Sequence, residues 1–254
     1  MSIAHPSGVA SHPALSIRRY GLFKRALDLI VGGTIFLFAM PVIALGWLAV
    51  RLTSRGPGFY SQTRLGRFGK PYRIYKLRSM YHNCEIVSGV RWSVQGDDRI
   101  TPVGKWIRKL HIDELPQLWN VLAGDMSLVG PRPERPEFVG PLQARVPGYA
   151  NRMMVRPGLT GFAQIQLPPD SGLESVKKKL VFDLHYVQHK KFSLDVRILF
   201  GTAIYLLGPS YDTIRKIAAL PNLRSKFAMS SEVIPFVKNE PPTADAFASE
   251  APAA

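Results

Sequence analysis

The sequence predicts a mainly α-helical protein with one small β-hairpin, an α+β fold, whose N-terminal helix enters a membrane. Three observations lead to this prediction. An uncharged apolar run covers residues 29–50, and short aromatic segments flank a glycine-containing turn at residues 66–69. Apolar side chains then recur at helical spacing over residues 101–122, 174–189 and 194–207.

The apolar run at residues 29–50 is long enough to cross a bilayer, which takes about 20 helical residues. Pro41 near its middle removes a backbone hydrogen bond, so we expect a break there. Basic residues flank both ends of the run, and the positive-inside rule places both flanks in the cytoplasm. We therefore predict a re-entrant helix-break-helix over residues 18–53, in preference to a straight span or a buried helix of a soluble core. The flanking residues are Arg18, Arg19, Lys24 and Arg25 before the run, and Arg51, Arg55 and Arg64 after it.

The overall charge of the chain points to an anionic partner. The sequence has 33 Lys and Arg against 18 Asp and Glu, a formal net charge of +15. Nucleic acid, the lipid head groups of a membrane and a phosphorylated substrate all fit this charge. Cys84 is the only cysteine, which excludes an intramolecular disulfide framework and a Cys-rich metal site and suits a reducing compartment.

The 254 residues suffice for one domain of ordinary size with extensions. Residues 1–17 and 238–254 have the composition of disordered tails. Between them we predict the membrane helix, a cytoplasmic catalytic domain at residues 54–207, and a C-terminal extension at residues 208–237. The chain shows no internal repeat.

Two adjacent acids stand out in this basic chain. Pro116 suits the first turn of a helix, which places Asp113 and Glu114 at or just before the N-terminus of that helix. Acids at such positions are commonly cap or first-turn residues, because they favour the positive end of the helix dipole. That structural interpretation needs no catalysis.

A catalytic interpretation of the acidic pair is also open, because basic residues recur at turns around it. Lys76 and Arg78 follow the predicted hairpin, Arg108 lies upstream of the pair, and prolines on both sides of Arg132 stiffen its turn. Carboxylates among fixed cations suit phosphoryl transfer from a nucleotide donor, with a divalent metal on the carboxylates. One carboxylate could instead be the nucleophile.

Resemblance to a known family rests on three runs: RFGKPYRIYKLRSM, DDRITPVGKWIRKLHIDELPQLWNVLAGDMSLVGPRP and VRPGLTGFAQI. They are similar to bacterial sugar transferases of the monotopic polyprenyl-phosphate phosphoglycosyl transferase class, and the resemblance extends over residues 23–207. It implies transfer of a sugar-1-phosphate from a UDP-sugar to undecaprenyl phosphate or a related polyprenyl phosphate, with release of UMP. Exopolysaccharide, capsule or O-antigen assembly begins with this step.

The same resemblance implies roles for individual residues. Asp113 matches the acid that takes the phosphosugar covalently, and Glu114 matches its partner carboxylate, with Mg²⁺ as the cofactor bound by the pair. The family's membrane helix is broken at a Ser-Pro pair, which Met40-Pro41 replaces here. Residues implied to contact the donor or to lie near the site are Lys76, Arg78, Arg108, Arg132 and Gln164.

The resemblance also implies partners and a location. The expected partners are the UDP-sugar, the polyprenyl phosphate and anionic lipid of the bacterial inner membrane, and a homodimer is left open. The catalytic domain is expected on the cytoplasmic face, in the short form of the family without extra N-terminal membrane helices. A catalytically silent scaffold at the membrane surface is the alternative function. We expect no nucleic-acid partner, since the apolar run beside the basic flanks favours a membrane.

Overall fold

The computed structural model describes residues 13–89, 93, 96–170 and 172–223. Eight α-helices, two short sheets and three 3₁₀ turns make up this part of the chain. The helices are α1 (Pro13–Thr53), α2 (Cys84–Ser88), α3 (Pro102–Lys109), α4 (Gln117–Ala123), α5 (Pro136–Arg145), α6 (Leu173–His189), α7 (Phe192–Tyr205) and α8 (Tyr211–Ile217). The strands are β1 (Phe59–Leu65), β2 (Pro71–Leu77), β3 (Ser127–Val129) and β4 (Gly158–Thr160), and the 3₁₀ turns are Arg67–Gly69, Ile112–Glu114 and Tyr149–Met154. The mainly α fold with a small hairpin is confirmed.

The described residues include only some of the domain boundaries predicted from the sequence. Residues 1–12 and 224–254, which contain most of both predicted tails, lie outside the described residues. Helix α1 begins at Pro13, inside the segment predicted as the N-terminal tail. Of the predicted C-terminal extension, the described part contains α8.

The predicted hairpin is confirmed. Strands β1 and β2 pair in antiparallel register from Phe59 opposite Leu77 to Leu65 opposite Pro71. Gly66 N donates to the carbonyl of Lys70 at 2.8 Å and closes the turn.

A second sheet was not predicted from the sequence. Strands β3 and β4 pair in parallel, with Ser127 opposite Gly158 and Val129 opposite Thr160. A Cβ atom on Gly158 would overlap the backbone of Gly130, so the two chain segments meet only because both residues are glycine. This close approach fixes where the chain leaves β3.

Helix α1 packs against the rest of the protein near its N-terminal end. Arg25 donates to the carbonyls of Val121 and Leu122, both at 2.7 Å, and so satisfies groups at the end of α4. The buried carboxylate of Asp28 accepts from Ser127 Oγ and Leu128 N, both at 3.0 Å, at the start of β3. This end of α1 therefore touches both α4 and β3.

The C-terminal end of α1 contacts the same folded unit. Val50 is buried in a cluster with Leu77 of β2 and Ile107 of α3. Arg78, directly after β2, donates to Ser54 O at 2.9 Å, to Ser54 Oγ at 2.8 Å and to the carbonyl of Arg55. Both ends of the apolar helix are thus held by one domain.

The predicted break at Pro41 is wrong: α1 runs as one helix through Pro41 to Thr53. A proline removes one backbone hydrogen bond, and a helix can accommodate that loss without ending. The 41 residues correspond to about 60 Å of helix, roughly twice the thickness of the hydrocarbon core of a bilayer.

The residues Tyr20–Thr53 form a helical segment that is long and apolar enough to cross a membrane. Its mean hydropathy reaches 2.3, and 22% of the apolar window is buried. A helix in the core of a soluble protein would be mostly buried, whereas Leu37, Phe38 and Leu45 are each at least 65% exposed. The exposed face therefore needs an apolar environment outside the protein.

Candidate active site

Asp113 and Glu114 lie in the 3₁₀ turn Ile112–Glu114, between α3 and α4. Thr101 caps the start of α3 by accepting from Gly104 N at 2.9 Å. His111 has a positive φ of 55°, which redirects the chain after α3. The acidic pair thus sits at the joint of two helices, as the sequence predicts.

Asn120 of α4 brings the hairpin to the acidic pair. Its fully buried side chain accepts from Tyr75 N at 3.2 Å and donates to the carbonyl of Arg73 at 2.8 Å. Both partners lie on β2, next to Lys76. The amide therefore sets the distance between the helix after the acidic pair and the strand that carries Lys76.

Glu114 is paired with two cations. Its Oε1 accepts from Lys76 Nζ at 2.7 Å and from Arg132 Nη2 at 2.5 Å, and its Oε2 accepts from Arg132 Nη1 at 3.3 Å. Burial alone would raise the pKa of Glu114, but Arg132 and Lys76 hold it well below its ordinary value. Glu114 is therefore a fixed anion at neutral pH.

Asp113 differs from its neighbour in having no such partner. Its side chain is 8% exposed, and within the described part of the chain its carboxylate makes no hydrogen bond or ion pair. Burial raises the pKa of Asp113, while Lys76 opposes that shift and Glu114 adds to it. The result is a desolvated carboxylate that has no hydrogen-bond partner among the described residues.

Asp113 and Glu114 line a cavity of about 620 Å³, a volume ordinary for small-molecule sites. Its walls come from the hairpin, the segment around α2, the end of α3 and the turn after β3. Of the described residues lining it, seven are Lys or Arg and four are Asp or Glu. The cations are Arg64, Lys76, Arg78, Arg99, Arg108, Arg132 and Arg135, and the acids are Glu85, Asp113, Glu114 and Glu134. This excess of positive charge suits an anionic ligand.

The structure brings most of the sequence-predicted site residues together. Lys76, Arg108 and Arg132 line the cavity with the acidic pair, and Arg108 also donates to Ser93 Oγ at 2.9 Å. Arg78 lines the cavity as well, but its hydrogen bonds go to the end of α1. Its role as a donor contact stays a prediction.

Gln164 is the predicted residue that the structure leaves apart from the others. It does not line the cavity and instead donates to the carbonyl of Leu159 at 3.2 Å, next to β4. Its Oε1 is buried without a partner among the described residues. Its proximity to the reacting groups stays a prediction.

Sequence analysis missed other polar residues of this region. Arg135 makes a bidentate pair with Glu85 at 2.8 and 3.1 Å, which joins the cavity walls formed by α2 and α5. Arg64 donates to Gln62 Oε1 at 2.8 Å and to the carbonyl of Pro133 at 3.1 Å. The sequence signalled them only as further basic residues, since Glu85 and Pro133, which fix these two arginines in the cavity wall, are distant from them in the chain.

The acidic pair is the predicted binding site for Mg²⁺. Among the described residues, no group of three or more His, Cys, Asp or Glu could hold a metal ion. Mg²⁺ is commonly bound through one or two carboxylates plus the phosphates of a substrate, and the free oxygens of Asp113 fit that mode. Glu114 is already charge-compensated, so the residues suit a metal that arrives with a phosphorylated ligand.

Comparison with known proteins identifies the family. The family profile described as bacterial sugar transferase matches residues 19–208. The chain is 40% identical over 183 residues to the UDP-N-acetylgalactosamine-undecaprenyl-phosphate N-acetylgalactosaminephosphotransferase of Aeromonas hydrophila, covering 72% of this chain and 43% of that protein. It is 40% identical over 204 residues to the UDP-glucose:undecaprenyl-phosphate glucose-1-phosphate transferase of Caulobacter vibrioides, covering 80% and 74%.

A third relative is matched over nearly its whole length. The exopolysaccharide production protein PSS of Rhizobium leguminosarum is 38% identical over 188 residues, which are 72% of this chain and 94% of that protein. The chain thus spans less than half of the Aeromonas protein but most of the Rhizobium one. The profile match covers most of the described fold, from α1 to the segment after α7, and this chain belongs to the bacterial sugar transferase family.

Proposed function

We propose that this protein transfers a sugar-1-phosphate from a UDP-sugar to undecaprenyl phosphate, through a covalent phosphosugar–Asp113 intermediate and with release of UMP. The product would be the lipid diphosphate sugar that begins assembly of an exopolysaccharide, a capsule or an O-antigen. The observation that carries the proposal is the contrast within the acidic pair: Glu114 is held by Lys76 and Arg132, whereas Asp113, buried in the same cationic cavity, has no hydrogen-bond or ion-pair partner among the residues that the structure describes. The activities for which the Aeromonas and Caulobacter relatives are named agree with this substrate class.

The first step breaks the phosphoanhydride bond of the donor. A carboxylate oxygen of Asp113 attacks the phosphorus that carries the sugar, and the bonding electrons leave with the phosphate oxygen of UMP. The cations lining the cavity, Lys76, Arg108 and Arg132 among them, neutralise the charge that builds on the diphosphate.

The second step transfers the phosphosugar to lipid. A phosphate oxygen of undecaprenyl phosphate attacks the same phosphorus, and the bond to Asp113 breaks, which regenerates the carboxylate. Both leaving groups depart as anions, so neither step needs a proton. Mg²⁺ held by Asp113 and the donor diphosphate, next to the charge-compensated Glu114, would supply further charge neutralisation.

The placement of α1 supports a membrane-surface enzyme. Arg25 near one end of α1 and Ser54 just after its other end both contact the catalytic domain. If α1 crossed the membrane perpendicularly, these two ends would lie on opposite sides of the bilayer, and one domain could not contact both. We infer that the unbroken α1 lies along the membrane surface with its exposed apolar face in the cytoplasmic leaflet of the inner membrane, and that both basic flanks stay on the cytoplasmic side, near anionic lipid. The homodimer that the sequence leaves open is not tested by these contacts.

The reaction is tested by identifying its nucleotide product. Purified enzyme is mixed with undecaprenyl phosphate, Mg²⁺ and each of a panel of UDP-sugars, starting with UDP-glucose and UDP-N-acetylgalactosamine. We expect UMP from at least one donor and radiolabel from the sugar phosphate on the trapped protein at Asp113. Release of UDP would identify ordinary glycosyl transfer, and no product from any donor would favour the silent scaffold.

The membrane topology is tested by cysteine labelling in sealed cells. In a Cys84→Ser background, Arg18→Cys and Arg55→Cys should both resist a membrane-impermeant maleimide until the inner membrane is opened. Phe38→Cys, which is 73% exposed on the apolar face, should stay unlabelled in both states because lipid covers it. Labelling of either flank from the periplasm would contradict the shared cytoplasmic side.

A further inference from the structure

The turn that carries Arg132 is held in an unusual way. Prolines at 131 and 133 have no N–H, so this stretch is fixed mainly through its carbonyl groups. Each of the four carbonyls from Pro131 to Glu134 accepts one hydrogen bond. Gly158 N donates to Pro131 at 2.9 Å and Leu65 N donates to Glu134 at 3.0 Å.

The two central carbonyls of the turn are held by arginine side chains. Arg64 Nη1 donates to the carbonyl of Pro133 at 3.1 Å, and Arg152 Nη2 donates to the carbonyl of Arg132 itself at 3.0 Å. Arg152 therefore grips the backbone of the residue whose guanidinium pairs with Glu114.

Every nitrogen of the Arg152 guanidinium is engaged. Its Nε donates to Asp183 Oδ2 at 3.0 Å, its Nη2 lies 2.7 Å from the same oxygen, and its Nη1 donates to Tyr149 Oη at 2.8 Å. Asp183 is 2% exposed and lies on α6, whose packing fixes its position. Because Asp183 and Tyr149 fix the planar guanidinium of Arg152, its hydrogen bond to the Arg132 carbonyl is held within a narrow range of positions.

Arg152 lies outside the cavity that holds the acidic pair. It is 6% exposed and is not among the residues that line the 620 Å³ cavity. It borders instead a small pocket of about 20 Å³ beside Pro131 and Pro133. The contact through which Arg152 reaches the site is its hydrogen bond to the Arg132 backbone.

We propose that Arg152, oriented by Asp183 and Tyr149, is a positioning residue that holds the Arg132 turn so that its guanidinium faces the acidic pair. This inference goes beyond the proposed function and rests on the role assigned there to Arg132. Displacing a catalytic group by about 1 Å can cost on the order of 100-fold in rate, so loss of this contact reaches catalysis without touching a substrate.

The test is a double-mutant cycle between Arg152→Lys and Arg132→Ala. Lysine keeps the charge opposite Asp183, but its single nitrogen cannot reach Asp183, Tyr149 and the Arg132 carbonyl together. UMP release from UDP-glucose, or from whichever donor the panel selects, gives kcat and KM, and thermal unfolding gives the folded fraction. We expect Arg152→Lys to lower kcat about 10- to 100-fold. Adding Arg152→Lys to Arg132→Ala should lower kcat by less than about two-fold, because the guanidinium that Arg152 orients is then already absent.

Two further variants keep the test decisive. Val176→Ala truncates a buried residue of α6 and should lower the unfolding temperature while kcat per folded enzyme stays normal. Tyr149→Phe replaces Arg152→Lys in the test if the latter does not fold. It removes one acceptor from the Arg152 guanidinium and should lower kcat to a smaller extent. Normal kcat in Arg152→Lys, or independent multiplication of the two losses, would overturn the positioning role. Normal kcat in Arg132→Ala would instead contradict the proposed function of Arg132 itself.

Discussion

Asp113→Asn is expected to abolish sugar-phosphate transfer while the protein stays folded and membrane-bound. The amide keeps the size of the carboxylate but is a very poor nucleophile, so kcat should fall on the order of 10⁴-fold or more. No label from the donor sugar phosphate should remain on the protein. Normal UMP release by this variant would exclude Asp113 as the nucleophile.

The same variant should be more stable than the native protein at neutral pH. Burial raises the pKa of Asp113, so the folded state holds this proton more tightly than the unfolded state does. The resulting stabilisation is present below the ordinary pKa of 3.8 and is lost as pH rises through the higher folded-state pKa. At neutral pH the folded protein carries a desolvated anion, and asparagine removes that cost.

The measurement is thermal unfolding of both proteins between pH 4 and pH 8. The advantage of Asp113→Asn should grow as pH rises through the folded-state pKa of Asp113. A variant that is less stable at neutral pH than the native protein would contradict the unpartnered carboxylate described for this site. Native activity should decline when pH falls through the same pKa, which lies above 3.8, because the nucleophile is the ionised form.

Glu114→Gln is expected to have the opposite effect on stability, although it also lowers activity. Glu114 neutralises Lys76 and Arg132, and a neutral amide leaves these two cations facing each other without an anion. We expect a loss of about 1–3 kcal/mol in the free energy of unfolding. The misplaced cations should lower kcat by about 10²- to 10³-fold.

The pKa of Glu114 gives this prediction a pH dependence. Because Arg132 and Lys76 hold that pKa well below its ordinary value despite burial, the pair stabilises the fold above the ordinary pKa of 4.5. The stabilisation disappears as pH falls through the folded-state pKa. Denaturant unfolding should therefore separate the native protein from Glu114→Gln most at neutral pH, and Glu174→Gln, an exposed acid remote from the cavity, serves as the control. Equal stability of native protein and Glu114→Gln at neutral pH would contradict the pairing.

Several elements of the fold could be predicted from local sequence patterns. The hairpin follows from aromatic segments around a glycine-containing turn. Helices α6 and α7 follow from apolar periodicity and lie within about two residues of their predicted bounds. The parallel pairing of β3 and β4 could not be predicted in this way. It joins two three-residue segments about 30 positions apart, and their contact depends on glycines meeting in space.

Pro41 shows the limit of a local rule. A proline inside an apolar run predicts a break, yet α1 continues through it, because a helix can lose one backbone hydrogen bond without ending. The contacts of Arg25 and Ser54 with the domain had no signal in the sequence, since each joins residues that are more than 20 positions apart.

Residue types and their spacing along the chain were enough to identify the family, the apolar helix and the acidic pair. The three-dimensional arrangement was needed to show that Glu114 is the neutralised acid, that Asp113 has no partner among the described residues, and that Arg152 donates to the Arg132 carbonyl. Charge compensation and orientation depend on distances of a few ångströms between residues far apart in sequence, which local patterns do not reveal. Two adjacent carboxylates therefore acquire different chemistry from which cations the fold brings to each.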